Sequence, residues 1–401
     1  MAAVLLLAGC SGDMRRDYFA DGSLKTEVPL KDGRPEGTAR YYYPGGSLQR
    51  VEQYAGGVLH GRVWHYGASC VLTKREQYRN GLLDGDASTF FKNKKPALQA
   101  AWRDGIRNGT SVSYYESGGI KTEGFYTNGT EDGLRITRFE KGGILKEEPV
   151  RAGFIQGAVR EYYESGRLKK QIDFYKSMAE GQSTEYYEAG GVFRSGVCRN
   201  GLPEGVFFEY AADAKLSAEL PYKAGKLDGI LKTFFPDGSV SSLTPYVKGR
   251  REGTAMRYYR SGTVLAEERY ADDLREGDSV VYFENGRVEM AESYHAGLPD
   301  GPCRMYDRKG RLQRRHQAVR GLLDGPAVIY HENGVQAAGF LYANGRLNGP
   351  AFWQDERGRR ICRENYRDNM LEGVYSTWYP GRGIMEERLY KEGRPDGLTR
   401  Y

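Results

Sequence analysis

An all-β fold of tandem hairpins is predicted by three observations: a glycine that recurs every 24 residues, aromatic and aliphatic columns in step with it, and turn residues about every twelve positions. The column comprises Gly37, Gly61, Gly85, Gly109, Gly133, Gly157, Gly181, Gly205, Gly229, Gly253, Gly277, Gly301, Gly325, Gly349, Gly373 and Gly397, sixteen of sixteen steps with no insertion. Self-similarity at a fixed period marks a repeat architecture in which each unit gains stability from its neighbours. A second column, from Gly33 to Gly393, is glycine in thirteen of sixteen positions and departs at Ser177, Asp273 and Asn369. A third begins at Gly22 and departs at Cys70, Lys94, Ala214 and Arg382.

The first element is an apolar run of nine residues, Met1 to Gly9, too short to span a bilayer. Its end, Leu7-Ala8-Gly9-Cys10, resembles the lipobox of bacterial lipoproteins. That resemblance implies a signal peptide over 1–10 and lipid attachment at Cys10. It also implies an envelope location at the outer membrane, since Ser11 rather than Asp follows the cysteine. The alternative is a cytoplasmic protein. Residues 11–17 are expected to form a short tether and 18–401 the repeat array.

Each unit holds two apolar stretches. The column from Tyr18 and Tyr42 to Trp378 is aromatic except at Arg138 and Gln354, and the next residue is often aromatic too, as in Tyr162-Tyr163 and Tyr258-Tyr259. An aliphatic column runs from Leu24 and Leu48 to Ile384, and a mostly tyrosine column from Tyr54 to Tyr390. Successive strand residues point to opposite faces. Tyr42, Leu48 and Tyr54 are therefore expected to form one apolar stripe. The second ring of each doublet, at Tyr43, Tyr115, Tyr163, Tyr187 and Tyr259, is expected on the opposite face as an exposed aromatic ribbon, and such patches mark contact sites. Asn200-Gly201, Asn285-Gly286, Asn333-Gly334 and Asn344-Gly345 supply the positive φ of tight turns. Two strands of about six residues and two turns per unit follow, a meander of about 32 strands spaced about 4.8 Å apart. The result is an elongated, twisted antiparallel single-sheet solenoid. A parallel β-helix with one coil per unit is the competing architecture; two glycine turns that split each unit into near-equal halves favour hairpins.

Glycine at 54 residues and tyrosine at 31, with only 15 prolines and 28% charged residues, excludes a disordered linker. A mean hydropathy of -0.67 fits a thin, extended core. The net charge of +6 is spread with both signs interleaved and contains no basic block, so no nucleic-acid partner is expected. His60, His65, His295, His316 and His331 show no metal-ligand spacing, and no metal, cofactor or small-molecule substrate is expected. The residue before the repeating glycine is acidic in most units, for example Asp84, Glu204, Asp228, Glu252 and Asp324. Such carboxylates would lie about 10 Å apart, too far to act in pairs, and are expected to bond their own turn backbone. Cys70, Cys198, Cys303 and Cys362 are expected as thiols, because even the nearest two lie several strands apart. Nothing in these patterns assembles a catalytic group, so the chain is expected not to be an enzyme.

The unit Tyr-Tyr-x-x-Gly-x-Leu followed by Tyr-x-x-Gly-x-x-x-Gly resembles the bacterial MORN-repeat variant of YwqK-type antitoxin proteins, from about Tyr18 to Tyr401. The resemblance implies an interaction scaffold that binds a protein partner or self-associates, anchored to the membrane through the lipid at Cys10. Its other implications are an intracellular antitoxin or regulatory partner, or a peripheral membrane-binding protein.

Overall fold

The computed structural model describes residues 13–397 and residue 400. Cys10 and the expected signal segment lie outside the described residues. Two units divide the chain, 1–192 with 197–202 and 193–196 with 203–401. Every described element is a strand, and the pairings in each unit are antiparallel between neighbours in sequence, as hairpins require and a parallel β-helix does not.

One period from each unit shows the construction. In the first, Gly37–Tyr42 pairs with Leu48–Ala55, and Ala55 faces Val58 across the two-residue turn Gly56-Gly57. The chain then bends at Gly61 and continues as Gly61–Tyr66. In the second, Gly253–Tyr258 pairs with Val264–Ala271, which pairs in turn with Leu274–Tyr282. The predicted six-residue strands are thus one strand of eight and one of nine, the latter often broken in two at the repeating glycine.

The two-residue turns carry positive φ at both positions, 49° and 83° at Asn80 and Gly81, the conformation that matches strand twist. At the repeating glycine φ ranges from 75° at Gly205 to 141° at Gly133. Space is also short there: a Cβ on Gly109 would sit 2.9 Å from the Cβ of Ala101. Positive φ calls for glycine at every member of the column, and crowding adds to that need at Gly61, Gly85, Gly109 and Gly349.

Two expectations are corrected by the pairing. Residues 13–17, expected as tether, belong to the strand Asp13–Tyr18, which pairs with Leu24–Lys31 from Asp13↔Leu30 onward. Asp13 occupies the place 24 residues before Gly37, so this strand opens the repeat that Gly22 and Gly33 already mark. The stripe is also not one stripe. The ladder slips between Tyr41 and Tyr42, so that Tyr41 faces Arg50 while Tyr42 faces Leu48. Alternation then puts Tyr54 on one face with Glu52 and Arg50, and Tyr42 and Leu48 on the other. Hydroxyl contacts agree: Tyr54 donates to Glu52 at 2.7 Å, whereas Tyr162, one of the Tyr42 column, donates to Glu147 at 2.8 Å.

The thin core lies mainly on the Tyr54 face. Small residues there are fully covered, including Ala39, Val63, Ala255, Cys303 and Ala351. Opposite them in the ladder stand Glu52, Glu76 and Glu268, also buried. These carboxylates are compensated by cations from the same face: Arg50 at 2.9 Å from Glu52, Lys74 at 2.7 Å from Glu76, Lys146 at 3.0 Å from Glu148. A buried carboxylate is tolerated only when so paired. Cys70, Cys303 and Cys362 carry no disulfide.

Candidate functional site

Two ladders of side chains tie hairpins to their neighbours, the first of them only in some repeats. At the five-residue turns the second ring of the doublet does not enter a strand. It opens the turn, as at Tyr43, whose N–H donates to Ser47 at 2.8 Å. Its hydroxyl donates to a main-chain carbonyl 23 residues on: Tyr43 to Tyr66 at 2.9 Å, Tyr115 to Arg138 at 2.7 Å, Tyr163 to Tyr186 at 2.7 Å and Tyr259 to Tyr282 at 2.9 Å. Tyr187 occupies the same place in its turn. All five are half-buried, and Lys121 and Lys169 lie over the Tyr115 and Tyr163 rings. The expected exposed aromatic ribbon is therefore corrected: these rings are half-buried at the turns, because the strand ends one residue before them and the hydroxyls of Tyr43, Tyr115, Tyr163 and Tyr259 reach the next repeat.

At the two-residue turns the acidic column forms the second ladder. Glu36 accepts from the N–H of Gly56 at 2.7 Å, Glu204 from Ala224 at 2.8 Å, Glu252 from Asp272 at 3.0 Å and Asp324 from Asn344 at 2.9 Å. The partner is the turn 20 residues on, not the carboxylate's own backbone as expected. Where the charge is exposed its acidity responds: Glu276 is held below the ordinary carboxylate range, first by the N–H of Ala296 and then by His295, 2.9 Å away, which it raises in turn.

The exposed apolar row lies beside this second ladder. One residue past the two-residue turn, Val58, Leu82, Ile106, Phe154, Met178 and Leu202 in the first unit are each about half exposed, between 45% and 52%. In the second unit Leu274, Leu298, Leu322 and Met370 occupy the same place; Thr130 interrupts the row in the first unit, and Lys226, Arg250 and Arg346 in the second. Sequence reasoning missed the row, although it keeps the 24-residue period, because it is one residue wide and Thr130 and basic residues interrupt it.

The second unit also brings together a side-chain cluster that spacing hid. Glu292, Cys303 and His316 stand side by side on three adjacent strands, through the pairs Glu292↔Cys303 and Cys303↔His316. Their ligand atoms all lie within 4.8 Å of one another. Cys303 is 2% exposed, and burial pushes its thiol up to about 11 and pushes His316 down. The buried Nδ1 of His316 has no hydrogen-bond partner. The histidine spacing, in which no metal-ligand pattern was expected, does not reveal this group: separations of 11 and 13 residues carry no local motif but bring three residues into line on one sheet face.

This architecture defines a β-hairpin repeat protein built of 24-residue units. Three of its segments, residues 35–55, 107–128 and 155–177, match the family described as MORN repeat variant. No curated protein matches the chain. Among solved structures it is similar, at 12% identity and a TM-score of 0.17, to the crystal structure of TcdB2-TccC3-TEV, with 94% of this chain and 24% of that chain covered. At 11% identity and a TM-score of 0.15 it is similar to a Tc holotoxin pore of Photorhabdus luminescens, with 96% and 27% covered. The chain spans about a quarter of the length of these two proteins. Among the described residues no helix is long and apolar enough to cross a membrane.

Proposed function

We propose that the chain is a non-enzymatic repeat scaffold that binds protein, a partner or a second copy of itself, and that lipid at Cys10 holds it at the bacterial outer membrane. The aliphatic row beside the two-residue turns carries the binding half of this reading. An apolar side chain left half exposed in unit after unit is what a protein contact buries. The acidic column supports the non-enzymatic half, because its carboxylates are engaged by turn N–H groups instead of standing as acid and base pairs.

Site-specific photo-crosslinking in the native envelope tests the contact surface. A probe at Leu82 or Leu298 should capture a discrete protein, whereas one at the exposed Arg304 on the strand should not; the absence of adducts from the leucine positions overturns the row. Metabolic labelling with fatty acid tests the anchor, and labelling that survives Cys10→Ser rules it out.

A further inference from the structure

We propose that Glu292, Cys303 and His316 form a site for a borderline transition-metal cation, with zinc as the best fit: thiolate, imidazole nitrogen and carboxylate from the protein, and water in the fourth position. The inference is independent of the binding role proposed above. It rests on three features of one patch of the Tyr54 face.

The first is position. The three ligand atoms already lie within 4.8 Å of one another, on strands whose backbones are fixed by the ladder. Tetrahedral zinc with bonds of about 2.0 to 2.3 Å places its ligand atoms about 3.3 to 3.8 Å apart. Rotamer adjustments of about 1 Å close that gap without moving a strand.

The second is the orphaned imidazole. His316 Nδ1 is buried without a hydrogen-bond partner, a cost that a metal bond removes.

The third is charge. In the equivalent ladder places Glu52, Glu76 and Glu148 each have a cation two residues earlier on the strand, Arg50, Lys74 and Lys146; Glu268 is paired instead by Arg257 and Arg275, and Glu364 accepts from the Tyr366 hydroxyl. Before Glu292 that place holds Met290. Among the described residues no cationic side chain forms an ion pair with Glu292; its partner is the hydroxyl of Tyr294, at 2.7 Å. One carboxylate oxygen is thereby oriented by an outer hydrogen bond, as metal-bound carboxylates commonly are. Arg314 is the cation that acts on Cys303 and His316, yet it forms no ion pair with Glu292, and a bound cation would supply that direct counter-charge. A soft thiolate beside an imidazole and a carboxylate selects zinc-like ions over magnesium or calcium, which require oxygen ligands.

The test uses the full chain, freed of metal by a chelator and titrated with cobalt(II) and then zinc(II). We expect one equivalent of cobalt to produce a thiolate-to-cobalt charge-transfer band that zinc bleaches. Cys303→Ala should abolish the band while the strand signal in circular dichroism persists, because Ala39, Ala255, Ala327 and Ala351 fill the same ladder place elsewhere. His316→Gln should weaken binding at least tenfold. Met290→Arg, which restores the usual counter-charge, should weaken it without touching a ligand. Cys362→Ser should leave the band unchanged. Absence of a band at stoichiometric cobalt overturns the proposal, as does a band that survives Cys303→Ala in folded protein or that vanishes with Cys362→Ser.

Discussion

The hydroxyl of Tyr163 donates to the main-chain carbonyl of Tyr186, 23 residues on, at 2.7 Å. Both residues belong to aromatic doublets, yet they play different parts: Tyr186 ends a strand and Tyr163 opens a turn. The bond therefore links the turn of one repeat to the strand end of the next. His331 makes the equivalent bond to Gln354 at 2.8 Å, so a polar-tipped ring other than tyrosine can form it, whereas Phe91, Phe139, Phe235 and Phe283 keep a ring at the same place without a polar tip.

Tyr163→Phe keeps the ring and removes this bond, and should cost about 0.5 to 1.5 kcal/mol. Because the stability of a repeat array is local, hydrogen exchange around Tyr186 reads the effect better than a global melt. Faster exchange confined to that turn and its neighbour is the expected result. Tyr163→Ser, which also removes the ring, should open the same region more.

The turn glycines predict effects of opposite sign. Ala214 replaces glycine in its column and is held at a φ of 63°, so Ala214→Gly should stabilise by about 1 kcal/mol. Gly109→Ala adds a Cβ at a φ of 115°, 2.9 Å from the Cβ of Ala101, and should destabilise by about 2 kcal/mol or more. Urea unfolding of the two variants against wild type checks both signs. Ser177, Asp273 and Asn369 differ from Ala214: each accepts a main-chain N–H from 22 residues earlier, at 3.0, 2.9 and 2.7 Å, so glycine there would relieve φ at the loss of a hydrogen bond.

What was legible in the sequence follows from these cases. The period and the hairpins could be read because Gly109 and its equivalents serve a backbone need that no other residue meets. The facing of Tyr43 could not be read, since the strand Gly37–Tyr42 stops one residue before it and nothing in its residue type marks that it opens the turn. The strand that starts at Asp13 was hidden because Asp13 stands where the later repeats carry the repeating glycine, so only its pairing announces it. Glu292, Cys303 and His316 were hidden because proximity across strands depends on register, and a shift of one residue would place them on opposite faces.

Glu276 and His295 predict a pH dependence. The carboxylate is lowered in the folded state, so its contribution is present above the ordinary carboxylate range and lost as pH falls through its folded value. The imidazole is raised, so its contribution is full below about 6.5 and lost as pH rises through its folded value. The pair therefore contributes most between about pH 5 and 6.5. Glu276→Gln should shift the His295 titration, followed by nuclear magnetic resonance, down toward its ordinary value. It should also narrow the stability gap to wild type above that window, where only the bond to the Ala296 N–H remains.

The final prediction concerns modularity within the second unit. Gly253 faces Tyr270 and Gly277 faces Tyr294, so the strand entering at either glycine meets an equivalent partner column. Deleting 254–277 joins Gly253 to Asp278, which has the same place in its repeat as the removed Thr254. Both ladders can then close across the junction. Glu252, which accepts from the N–H of Asp272, would be presented instead with that of Ala296, the present partner of Glu276. Deleting 254–265 joins the glycine bend to Ala266, in the middle of the Val264–Ala271 strand, and sets unlike half-repeats side by side. The 24-residue deletion should keep the β-strand signal in circular dichroism and a cooperative unfolding transition, since nearest-neighbour contacts carry stability in such arrays. The twelve-residue deletion should lose protection in hydrogen exchange on both sides of the junction, because register fails there. A 24-residue deletion that unfolds the neighbouring repeats would show that the units are not interchangeable.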